Sequence, residues 1–120
     1  MKVLLVDDSK AMRMIVQRTL KQAGFNGLEI AEANNGVEAL EKIASDRPDV
    51  VLSDWNMPEM NGIDLLKKLR ADGDSITLGF ITSESNPDAR KEAMDAGAAF
   101  VITKPFTPDS FQRILEPVLA

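Results

Sequence analysis

Residues 49–58 read DVVLSDWNMP: a short apolar run rich in β-branched side chains, Val50 to Leu52, that stops on an aspartate, Asp54. An apolar run without polar alternation predicts a strand buried on both faces. The same pattern recurs at Val3 to Val6, Leu78 to Ile81 and Phe100 to Ile102, and less cleanly at Leu28 to Ala31. Between these runs the period lengthens. Met12, Ile15, Val16, Leu20 and Ala23 repeat at three- and four-residue steps, with Ser9 as the expected N-cap and Gly24 as the stop. Val37, Leu40 and Ala44 predict a second helix, Ile63, Leu66 and Leu69 a third, and Pro87 to Ala96 an Ala-rich fourth. Phe111, Ile114, Leu115, Val118 and Leu119 mark a strongly amphipathic last one. Pro87 and Pro108 suit first helical turns, and Gly97 suits the position just past a helix end.

Strand and helix therefore alternate five times, which specifies an α/β fold: a doubly wound parallel sheet whose right-handed crossovers place helices on both faces. No linker, low-complexity tract or repeat interrupts the 120 residues, so residues 1–120 are expected to form a single domain. In open sheets of this class ligands bind beyond the carboxyl ends of the strands, where the strand order reverses. The residues that follow each apolar run thus become the candidates for function.

Composition narrows the chemistry. There is no cysteine and no histidine, which excludes disulfides, thiolate chemistry, the usual zinc sites and imidazole catalysis. A phosphohistidine, if one is involved, must belong to another molecule. A net charge of −5 without a basic run argues against nucleic-acid binding and favours divalent cations or basic partner patches. The opening MKVLLVDDSK is too short an apolar stretch for a signal peptide or membrane span, so a cytoplasmic protein with no membrane contact is expected.

The strand ends carry Asp7 and Asp8, then Asp54, then Thr82 and Ser83, then Thr103, Lys104 and Pro105. Clustered carboxylates in a partly desolvated cleft need a cation or a proton. Mg²⁺ fits best, since it takes one or two carboxylates and leaves positions open for phosphoryl oxygens. With such an ion an aspartate can attack an activated phosphoryl group in line, while a lysine and a hydroxyl neutralise the equatorial oxygens. Taken singly, these residues have blander readings: Asp7 and Asp8 as capping or turn residues, Thr82 and Ser83 as strand-end hydroxyls, Lys104 as a solvated lysine. Their convergence on one rim outweighs those readings.

In order and spacing, the DD pair at Asp7 and Asp8, DWNMP around Asp54, IT at Ile81 and Thr82 and KPF at Lys104 resemble response-regulator receiver domains along the whole chain. The resemblance implies a flavodoxin-like sheet in the order 2-1-3-4-5 and a two-component phosphorelay role. Asp54 would take its phosphoryl group from a histidine kinase or phosphotransfer protein. It further implies that Asp8, Asp54 and the backbone carbonyl of Asn56 ligate Mg²⁺, with Asp7 acting through water. Lys104 would pair with the phosphoryl group, Thr82 would move toward it, and the Lys104–Pro105 bond would be cis. Such a regulator is a monomer and no enzyme beyond its own phosphorylation and dephosphorylation. It acts by contact with a downstream target, the flagellar switch in the chemotaxis case, through the fourth helix, fifth strand and last helix near Arg90, Val101 and Arg113. Glu84 and Asn56 flank the site and are expected to influence the lifetime of the phosphoryl group.

One departure stands out. Three residues before Lys104, where many receivers carry an aromatic ring that turns inward, this chain has Val101; Phe100, one residue earlier, should face the other side of the sheet. A receiver domain excised from a larger regulator is an alternative. A haloacid-dehalogenase-type Mg²⁺ phosphohydrolase is disfavoured, since its nucleophile lies in a D-x-D pattern after the first strand. A nucleotide or flavin binder lacks its glycine-rich loop, and an inert receiver-like module would lack the acceptor, the acidic pair or the lysine.

Overall fold

The computed structural model describes residues 1–83 and 86–119. Five strands, β1 (Lys2–Val6), β2 (Glu29–Ala33), β3 (Val50–Ser53), β4 (Thr77–Thr82) and β5 (Val101–Thr103), alternate with five helices. The helices are α1 (Lys10–Gln22), α2 (Gly36–Ser45), α3 (Gly62–Ala71), α4 (Pro87–Asp95) and α5 (Pro108–Leu119). All strand pairs are parallel, in the order β2-β1-β3-β4-β5, as the resemblance implies. Strand order reverses between β1 and β3, the position beyond whose carboxyl ends ligands bind in open sheets of this class.

Strand alternation divides the core in two. Val3, Leu5, Leu52, Ile81 and Ile102 face α1 and α5, where Val16, Leu20, Phe111 and Leu115 cover them. Leu4, Val6, Val51, Leu78, Phe80 and Val101 face the other side, against Ala39, Ile43, Ile63, Leu66, Leu69 and Ala93 of α2, α3 and α4. Each fully buried Leu, Ile or Phe among them contributes roughly 1.5–3 kcal/mol by leaving water. Phe100 and Val101 fall into opposite clusters, as alternation requires.

The helix ends follow local chemistry. The Ser9 hydroxyl accepts from Met12 N–H at 3.2 Å, and Asn35, Asn61 and Asn86 cap α2, α3 and α4 with their side-chain oxygens. Gly24 and Gly97, with φ of 96° and 102°, take the left-handed conformation that closes α1 and α4.

Several boundaries and faces differ from expectation. The least clean strand lies at Glu29–Ala33 rather than Leu28 to Ala31, because it is an edge strand with partly exposed side chains and so carries a weaker apolar signature. The second helix buries Gly36, Ala39 and Ile43, with Leu40 half-buried, while Val37 and Ala44 are exposed; two of its buried residues are small, and Gly36 lies against Met60. Ile15 of α1 is likewise exposed. β5 begins at Val101 rather than Phe100.

Candidate functional site

Each functional side chain sits where a strand ends, so its position is inherited from the sheet. Asp54 leaves β3 with its N–H bonded to the Val6 carbonyl at 2.8 Å, which ties it to the end of β1. Asp7 leaves β1 with its N–H on the Ala33 carbonyl at 3.1 Å, and its Oδ1 accepts from Ser9 N–H at 2.9 Å. Asp7 thus does serve as a turn residue as well as a rim carboxylate.

One carboxylate oxygen each from Asp7, Asp8 and Asp54 lie within 4.8 Å of one another. Lys104 brings its Nζ to 3.7 Å from Asp54 Oδ1, with both side chains largely shielded from solvent. The Lys104 N–H donates to the Thr82 carbonyl at 2.7 Å, and the Lys104–Pro105 bond is cis. Thr82 is buried on the same rim; Ser83 and Thr103 are exposed. Asn56 is exposed in the loop after Asp54. Glu84 lies outside the described residues.

Burial pushes the Asp7 carboxyl above the usual carboxylate range; the Ser9 N–H and Lys104 pull it down, while Asp54 and Asp8 push it further up. One ammonium does not balance three carboxylates. An all-oxygen donor set of that spacing and surplus negative charge fits a hard divalent cation such as Mg²⁺.

Three residues that support the site went unassigned in the sequence. Gly62, the first residue of α3, passes so close to the acceptor that a Cβ there would lie 2.2 Å from the Asp54 carbonyl oxygen and 2.7 Å from the Phe80 ring. Ser53 is fully buried and donates its hydroxyl to that same carbonyl at 2.8 Å. Arg13 of α1 is buried at the end of β1, where its guanidinium bonds the Asp7 carbonyl. A signal for Arg13 existed: it stands three residues before Val16, a charged residue on an apolar stripe.

Val101, placed on the expected contact surface, is only 6% exposed, because the α4 side of the sheet covers it. Arg90 and Arg113 are exposed. Among the described residues no helix is long and apolar enough to cross a membrane.

Comparison with known proteins agrees with this geometry. Residues 3–116 match the response regulator receiver domain. The chain is 46% identical to the chemotaxis protein CheY1 of Helicobacter pylori, over 99% of this chain and 97% of that protein. It is 40% identical to the chemotaxis protein CheY homolog of Campylobacter jejuni, over 99% and 92%. The solved structure of the Vibrio cholerae chemotaxis protein CheY4 superposes with a TM-score of 0.84 at 38% identity, covering 98% of each chain. With its strand order shared and nearly its full length matched, the chain belongs to the response regulator receiver domain family, whose members act in two-component signalling.

Proposed function

We propose that Asp54 accepts a phosphoryl group from the phosphohistidine of a histidine kinase or phosphotransfer protein, and that this chain relays a chemotaxis signal in the cytoplasm. The observation that carries the reading is the convergence on Asp54: Lys104 Nζ at 3.7 Å and carboxylate oxygens of Asp7 and Asp8 within 4.8 Å. Asp8, Asp54 and the Asn56 backbone carbonyl would hold Mg²⁺, with Asp7 acting through water. Bound there, the ion offsets the charge that would otherwise keep a phosphoryl group away from three carboxylates.

The chain's own residues do the rest. An Asp54 carboxylate oxygen attacks phosphorus in line, the P–N bond breaks, and its electron pair goes to the departing imidazole. Trp55 N–H, 2.7 Å from Asp54 Oδ1, orients the carboxylate for that attack. Lys104 meets charge on the phosphoryl oxygens, and the Thr82 hydroxyl donates to one of them, drawing β4 toward the site. The product is an aspartyl phosphate on the same chain, so the chemistry is self-modification and its reversal by water. Asn56, beside that bond, governs water access.

Output passes through α4, β5 and α5, where exposed Arg90 and Arg113 face a partner, a flagellar switch protein by analogy with the chemotaxis relatives. With Val101 in place of a mobile ring, the signal reaches that surface through the backbone of β4 and β5, which are paired at Thr82 and Thr103.

Acetyl phosphate with Mg²⁺ is expected to add one phosphoryl group by intact mass, and Asp54→Asn to abolish the addition. Undiminished labelling of Asp54→Asn overturns the assignment.

A further inference from the structure

Arg13 is 8% exposed, on the α1 face that lies against the end of β1. Its Nη1 bonds the Asp7 carbonyl and also donates to Asn34 Oδ1 at 3.0 Å, and its Nε donates to Glu32 Oε1 at 2.8 Å. Asn34 is itself oriented, since its Nδ2 donates to Glu38 at 3.1 and 3.3 Å. A buried guanidinium is costly to desolvate unless it is paired and its donors are used, and here three acceptors hold it in one geometry.

The backbone of Asp7 is consequently gripped on both sides. Its N–H is bonded to β2 through Ala33, its C=O to α1 through Arg13, and its carboxylate to Ser9. Arg13 does not touch the acidic cluster itself, and reaches it only through the peptide that carries Asp7.

We propose that Arg13 is a positioning residue for divalent-cation binding: by locking the Asp7 peptide against β2 it holds the Asp7 carboxylate at the distance from Asp8 and Asp54 that the ion requires. This rests on the Mg²⁺-binding reading given above. Supporting groups one bond removed from metal ligands commonly set affinity by 10–100-fold. Arg13 acts one step further out, on the carbonyl of the peptide that joins Asp7, which would reach the ion through water, to Asp8, which would ligate it directly.

The test is a Mg²⁺ titration followed by the fluorescence of Trp55, the only tryptophan and the neighbour of Asp54, at a temperature where every variant is folded. Arg13→Met keeps the alkyl stem and removes the fork; it is expected to weaken Mg²⁺ binding about tenfold. Arg70→Met is the structural control. Arg70 bonds the carbonyls of Asp74, Ile76 and Gly97, at the opposite end of the sheet, so its loss is expected to lower the melting temperature and leave Mg²⁺ affinity unchanged. If Arg13→Met does not fold, Asn34→Ala, at an exposed residue, removes one anchor of the guanidinium and is expected to weaken binding about threefold. Wild-type affinity in the folded Arg13 variant, or in Asn34→Ala where that stands in for it, overturns the proposal, as does an equal loss in Arg70→Met. A wild-type chain that binds no Mg²⁺ instead overturns the reading on which the proposal rests.

Discussion

Replacing Gly62 by Ala tests whether the acceptor is held by close backbone packing. The new Cβ would sit 2.2 Å from the Asp54 carbonyl oxygen, where ordinary contact begins at 3.4 Å, and 2.7 Å from Phe80 Cε1. Neither neighbour yields easily. The carbonyl accepts from the Ser53 hydroxyl, and the Phe80 ring is fully buried with its centroid 5.0 Å from that of Trp55. Overpacking of this kind costs about 1–3 kcal/mol, and two rigid neighbours place Gly62→Ala at the upper end. Ala regains up to about 1 kcal/mol from helix propensity and a less flexible unfolded chain. The net expectation is a loss of about 2 kcal/mol, read as a urea midpoint lower by roughly 1 M. Because relief must come from moving the Asp54 peptide or the start of α3, labelling by acetyl phosphate is expected to slow about tenfold or more. Gly36→Ala is the comparison: its Cβ would lie 2.8 and 2.9 Å from Cγ and Cβ of Met60 and 3.0 Å from the Met60 carbonyl oxygen, so it too is expected to cost about 1–3 kcal/mol, but it leaves the Asp54 peptide untouched and is expected to slow labelling less than Gly62→Ala. A wild-type midpoint and a wild-type labelling rate in Gly62→Ala would show that close packing at Gly62 does not hold the acceptor.

Two further outcomes follow from the packing and the ion pairs. Asp74 accepts both guanidinium nitrogens of Arg47, at 2.8 and 2.9 Å, and the Ile76 N–H, which lowers its carboxyl to about 2. That stabilisation is fully present above the ordinary value near 3.8 and is lost as pH falls through about 2. Arg47 is more than half exposed, so solvent screening discounts the contribution of Asp74 to about 1 kcal/mol. In urea melts Asp74→Asn is expected to be less stable by that amount at pH 7, with the gap closing between about pH 4 and 2; a gap independent of pH counts against the pair. Gly79 leaves room for the Phe100 ring, since a Cβ there would lie 2.2 Å from it. Phe100→Ala is expected to cost about 3–5 kcal/mol, and Gly79→Ala to destabilise the parent but not the Phe100→Ala background, a coupling of at least about 1 kcal/mol in a thermodynamic cycle. Additive effects would contradict that contact.

Much of this protein was legible before any coordinates. Runs such as Val50 to Leu52 have no amphipathic alternative, so strand identity, parallel pairing and the gathering of Asp7, Asp8, Asp54, Thr82 and Lys104 at one end of the sheet follow from period and order alone. The sheet order 2-1-3-4-5 came from the resemblance, because alternation by itself permits several orders. Faces were read well where large side chains mark them, as in α3, and poorly in α2, where two of the three buried residues, Gly36 and Ala39, are small and only Ile43 carries a hydrophobic mark.

Close approach between segments far apart in the chain could be seen only once the chain was folded. That Gly62 must lack a side chain, that Gly79 and Phe100 share one space, that Arg13 reaches the Asp7 carbonyl and that Val101 is covered all depend on contacts between segments far apart in the sequence. Periodicity assigns a residue to a face, but such contacts are set by how helix and sheet settle against each other at crystal-like density. Period and order in the chain bring the rim residues together; packing of helix on sheet sets how firmly Asp54 and Asp7 are held there.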